Sequence, residues 1–110
     1  MFDTTIVSRY TTTRDTVIAS FKDKETKALF EGKRSRALPQ SLQRGALKKL
    51  TQLEAADRMD DLKVPSGNRV EQLRGDREGQ HSIRINDQWR VCFRWERGET
   101  SDVEIVDYHP

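Results

Sequence analysis

The chain has 110 residues with Leu, Ile, Val and Phe at only 24 of them, enough for one small core and too few for two. Charged residues make up 35% of it, so each element must show a face to water, and a bundle of wholly buried helices is excluded. The net charge of +2 conceals an asymmetry: residues 1–50 carry 11 Lys and Arg against 5 Asp and Glu, residues 51–110 carry 9 against 13, and arginine, whose planar fork suits phosphate, outnumbers lysine 13 to 7.

Residues 1–16 hold six threonines and no sustained apolar period, and are expected to form a flexible extension ahead of a domain spanning residues 17–110. Thr16 to Phe21 reads as a short strand. Ser20 and Asp23 then offer caps for a helix carrying Ala28, Leu29 and Phe30 and closed by Gly32. After the basic connector Gly32-Lys33-Arg34-Ser35-Arg36, Leu42, Ala46, Leu50 and Leu53 follow Pro39 at helical spacing and predict a helix of about four turns.

At Pro65-Ser66-Gly67-Asn68 the period changes to two. Breaks at Gly75 to Gly79, Asn86-Asp87-Gln88 and Arg97-Gly98-Glu99 divide the rest into predicted strands near 69–74, 81–86, 89–96 and 102–108. The fold class is therefore α+β, with an N-terminal strand and two helices packed on an antiparallel meander. In the third strand Trp89, Val91, Phe93 and Trp95 alternate with Arg90, Cys92 and Arg94. One face can pack on the helices while the other, joined by Arg84, presents guanidiniums.

No phosphate-binding Gly-Lys loop, dinucleotide glycine fingerprint, HExxH or nucleophile elbow occurs, so no cofactor is expected. Asp57, Asp60 and Asp61 lack calcium-loop spacing and read as a solvated helix end, so no metal is assigned. Cys92 is the only cysteine; it excludes an internal disulfide, and its place between Val91 and Phe93 points to packing. No apolar run exceeds three residues, against the roughly 20 of a membrane span, and no apolar leader precedes a cleavage site. A cytoplasmic protein with no membrane contact is expected. Chemistry concentrates instead in Arg84, Arg90 and Arg94, suited to a phosphodiester backbone, and in the acid, phenol and imidazole of Asp107-Tyr108-His109 at the end of the last strand.

Four blocks carry a resemblance: Asp61-Leu62-x-x-Pro65-x-Gly67, Leu73-Arg74-Gly75-Asp76-Arg77-x-Gly79, the run from Ser82 to Trp95, and Val103-Glu104-Ile105-x-Asp107-Tyr108-His109. From about Val17 to His109 the chain resembles the HigB toxins of the RelE/ParE superfamily of toxin-antitoxin systems. The resemblance implies a RelE-like fold and a ribosome-dependent, metal-independent messenger-RNA endonuclease. It implies a HigA-like helix-turn-helix antitoxin as partner, with DNA met only through that antitoxin. By position, Arg90 matches the family's phosphate-stabilising arginine and Asp107, Tyr108 and His109 its catalytic trio, with Arg74, Arg84 and Arg94 as RNA contacts.

Where such toxins often have His-x-x-Lys before the glycine, this chain has Glu71-Gln72-Leu73-Arg74. Arg74 keeps the charge of the lysine; Glu71 does not keep the imidazole, and it is either a base or a charge that repels phosphate. The rival reading is a non-cleaving ParE-like toxin, or a degenerate member acting through protein binding and antitoxin-linked transcriptional regulation.

Overall fold

The computed structural model describes residues 18–108. The expected flexible extension of residues 1–16, and the residues Val17 and His109, lie outside them.

Helix α1 (Lys24–Phe30) starts where Asp23 caps it, its carboxylate accepting the Thr26 N–H at 2.7 Å. The buried Thr26 hydroxyl donates to Asp23 and accepts the Ile105 N–H at 3.2 Å, which ties the start of α1 to the last strand. Helix α2 (Gln40–Ala55) buries Leu42, Ala46, Leu50 and Leu53, the four positions its period predicts. Between the helices the basic connector is pinned by Gln43, whose amide donates to the carbonyls of Ser35 and Leu38.

The sheet comprises β1 (Glu71–Gln72), β2 (Gln80–Arg84), β3 (Trp89–Glu96) and β4 (Glu99–Asp107), antiparallel in the order β1-β2-β3-β4. Ile83, Val91, Phe93, Val103 and Ile105 meet the α2 stripe in one core, together with Ile18, Leu29 and Leu62. At about 1.5–3 kcal/mol for each large side chain buried, this one layer supplies most of the drive to fold.

Three elements depart from expectation. The first predicted strand shrinks to two residues, because Arg69 is left-handed at φ 44° and the chain turns again at Gly75. The last strand begins earlier than expected, because Arg97 and Gly98, at φ 54° and 78°, make the tight turn that matches strand twist and let Glu96 pair with Glu99. The expected N-terminal strand is, in its described part, two isolated parallel bridges, Ile18 to Thr100 and Phe21 to Val103. Between these bridges β4 bulges, with Asp102 at φ 51° and its N–H taken by Ser20 Oγ, so no continuous ladder forms.

Candidate functional site

On the sheet face turned away from α2, the expected row of open guanidiniums is covered at its centre. Arg77, from the 3₁₀ turn Gly75–Arg77, reaches over β3 to donate to Gln80 Oε1 and Glu104 Oε1, each at 3.0 Å. Ser82, Arg90 and Cys92 are all buried. Burial pushes the Cys92 thiol pKa up, which keeps the sulfur protonated and unreactive, as expected of a packing residue.

Toward the other end of this face lies a cleft of about 330 Å³. Its floor is Arg90, only 7% exposed. Arg90 Nε donates to Ser82 Oγ at 2.6 Å, Nη2 donates to the Arg69 carbonyl, and the guanidinium lies 5.8 Å from the centre of the Tyr108 ring. Glu71 Oε1 stands 3.9 Å from Nη2, close enough for charge pairing and too far for a hydrogen bond. Arg84, opposite Arg90 on β2, lines one wall and pairs with Asp87. Asn86 shapes that wall by accepting the N–H groups of Gln88 and Trp89 in the β2–β3 turn.

The segment carrying Arg69 is anchored by Asn68, fully buried, whose amide donates to Leu62 O and Gln52 Oε1 and whose oxygen accepts from Lys49 Nζ. Asn68 thus fixes the residue whose carbonyl holds Arg90. Burial, then the charges of Lys48 and Arg84, pull the Lys49 pKa down.

Of the residues singled out in the sequence, Arg84, Arg90 and Tyr108 come together in this cleft, and Glu71 with them. Asp107 does not line it: it pairs with Trp89, so it belongs to the opposite face from Tyr108, and it accepts a hydrogen bond from Gln88 Nε2 at 3.1 Å. Arg94 is four residues further along β3, roughly 13 Å away at strand rise, and faces Asp102 at 3.5 Å. Arg74 is exposed at the start of the Gly75–Arg77 turn, outside the cleft. Sequence reasoning missed Arg69 and Asp87; Asp87 sits within the Asn86-Asp87-Gln88 break it recognised, whereas the left-handed Arg69 gave no glycine signal. Asp61 caps locally, accepting the Asp57 and Arg58 N–H groups, and these bonds hold its pKa down.

Residues 19–109 match the family profile described as "RelE-like toxin of type II toxin-antitoxin system HigB". The chain belongs to the HigB toxin family. It is 43% identical over 79 residues to Toxin HigB-1 of Vibrio cholerae serotype O1, covering 71% of this chain and 83% of that one. It is 30% identical over 93 residues to the Endoribonuclease HigB of Proteus vulgaris, 84% of this chain and all of that one. This HigB-family chain is accordingly a toxin of the type II class, whose partner is an antitoxin. The antiparallel sheet with two helices on one face is the α+β arrangement expected of a RelE-like domain. No described helix is long and apolar enough to cross a membrane.

Proposed function

We propose that this toxin is a cytoplasmic endoribonuclease that cuts messenger RNA while the ribosome holds it, using its own side chains and no metal ion. Its antitoxin is a HigA-like helix-turn-helix protein, through which alone the pair meets DNA. The observation that carries the reading is the buried, doubly anchored guanidinium of Arg90 at the floor of an arginine-lined cleft. A cation already desolvated and held in place stabilises charge that grows on phosphoryl oxygens, with no reorganisation at the moment of reaction. Arg84 and Arg69 in the same cleft favour a phosphodiester. The naming of the Proteus vulgaris relative as an endoribonuclease agrees with this chemistry.

Tyr108 covers the guanidinium and orients the bound nucleotide. His109 is the proton carrier, since imidazoles exchange protons near neutral pH. Asp107 holds the strand end through Gln88 and so positions Tyr108 beside it. Arg74 and Arg94, away from the cleft, contact flanking phosphates. With a net charge of only +2, the toxin binds free RNA weakly and in many geometries. The ribosome supplies the in-line orientation, an effect worth up to several kcal/mol.

The experiment is cleavage of a defined message by purified toxin, free and on translating ribosomes. Cutting confined to the ribosome-bound message, with 5′-hydroxyl and cyclic or 3′-phosphate ends, is the expected result. Rapid cutting of naked RNA, or full activity of His109→Ala, contradicts the reading.

A further inference from the structure

We infer that Arg69 binds a second phosphate of the message, the neighbour of the one seated on Arg90; the inference rests on the cleavage reading above. The other two arginines of the cleft are already committed. Arg90 is held by Ser82 and the Arg69 carbonyl, with Glu71 beside it at 3.9 Å, and Arg84 is paired with Asp87. Outside the cleft, Arg77 and Arg94 likewise face Glu104 and Asp102. Arg69 is exposed and lines the cleft, yet its guanidinium makes no hydrogen bond or ion pair among the described residues. A fork of five donors with no acceptor of its own suits the oxygens of a phosphate.

The backbone at this position points the same way. At φ 44° and ψ 64° Arg69 is left-handed, where a glycine is at ease and a residue with a Cβ is strained. The surroundings hold it there: its N–H donates to Ser66 O at 3.1 Å, its carbonyl accepts from Arg90 Nη2, and the preceding Asn68 is fully buried and bonded to Leu62 O and Gln52 Oε1. The fold uses the Arg69 backbone, which glycine would supply with less strain, and makes no use of the guanidinium. A strained residue with an unused charge at the mouth of a cleft is accounted for by a ligand. Because the Arg69 carbonyl touches Arg90, the guanidinium lies within one side chain's reach of the phosphate seat, as consecutive phosphates of one strand require. That second phosphate makes and breaks no bond, so Arg69 grips the message equally before and during the reaction and adds to binding, leaving the chemical step to Arg90.

The test is single-turnover cleavage of a ribosome-bound message over a range of toxin concentrations by wild type, Arg69→Asn, Arg69→Lys and Arg90→Ala. Asparagine accepts left-handed backbone and carries no charge, whereas lysine keeps the charge and the strain. Arg69→Asn should need about tenfold more toxin for its half-maximal rate, the low end for one lost hydrogen bond to a charged group, with a maximal rate within about threefold of wild type and a melting temperature no lower. Arg69→Lys should need no more than about threefold extra toxin. The titrations are repeated on messages with an uncharged methylphosphonate at the phosphate before or after the one cleaved. At one of these positions it should weaken wild type about tenfold and leave Arg69→Asn unchanged, because the contact is already gone. Arg69→Asn acting at wild-type concentrations, or methylphosphonates that weaken both proteins equally at both positions, overturn the inference. A maximal rate as low as that of Arg90→Ala overturns it as well and makes Arg69 a support of Arg90 alone. If Arg69→Asn matches wild type while Arg90→Ala is inactive, only Arg69 loses its assignment; if wild type leaves the message uncut, the cleavage reading falls and this inference with it.

Discussion

Arg90 Nε donates to Ser82 Oγ at 2.6 Å, and both side chains are buried. The two residues lie diagonally across neighbouring strands on one face, two residues out of register, so the β2–β3 pairing itself sets the guanidinium plane. Ser82→Ala leaves a charged donor buried without its partner, a loss of about 1–2 kcal/mol. The expected result is a toxin about five- to thirtyfold slower, with a melting temperature lowered by several degrees. In the Arg90→Ala background the same substitution adds nothing further, because its effect runs through the guanidinium. Additive losses contradict that account.

Asn68 ties α2, the 3₁₀ turn Met59–Lys63 and the Arg69 segment together from a fully buried position. Asn68→Ala strands the Lys49 ammonium and the Leu62 carbonyl, and the expected cost is about 2–3 kcal/mol of stability. Urea unfolding measures it. A loss under about 0.5 kcal/mol, the range of ordinary surface substitutions, contradicts an anchoring role.

His81 stacks on Phe93 with ring centres 6.2 Å apart, and its Nδ1 is buried with no hydrogen-bond partner among the described residues. Burial pulls its pKa below that of an ordinary imidazole, about 6.5. The unfolded chain then binds this proton more readily than the folded one, so the stability is intact above about pH 6.5 and declines as pH falls below it. Thermal melts at pH 8 and pH 5 should show a smaller acid loss in His81→Phe than in wild type. Equal losses contradict the assignment.

Ile18 is buried, its N–H donates to Glu54 Oε1 at 3.0 Å, and Phe21 packs against Phe30. A chain starting at Val17 should therefore keep its fold, its antitoxin and its activity. One starting at Lys22 loses both side chains and, at about 1.5–3 kcal/mol each, a large share of a small domain's stability. Unfolding of the longer chain shows that residues 1–16 belong to the domain.

The sequence made α2 and the meander readable for a physical reason: Leu42, Ala46, Leu50 and Leu53 answer to helical period, and the odd positions of β3 answer to strand alternation, both local signals. The same alternation separates Asp107 from Tyr108, since adjacent strand residues point to opposite faces; adjacency in the chain made them look like one cluster. Arg69 and Asp102 take left-handed backbone without a glycine to announce it. The lid that Arg77 makes over Cys92 is a bond to Glu104, 27 residues away, and no periodicity reports such a contact.

The most direct measurement maps RNA ends in cells expressing equal amounts of wild-type or Arg90→Ala toxin, with the variant shown to be folded. New 5′-hydroxyl ends inside translated messages should appear with wild type and fall about a hundredfold with the variant, the usual effect of removing one transition-state contact. Equal numbers of such ends from both proteins, or none from wild type, would contradict the assignment of this cleft to RNA cleavage.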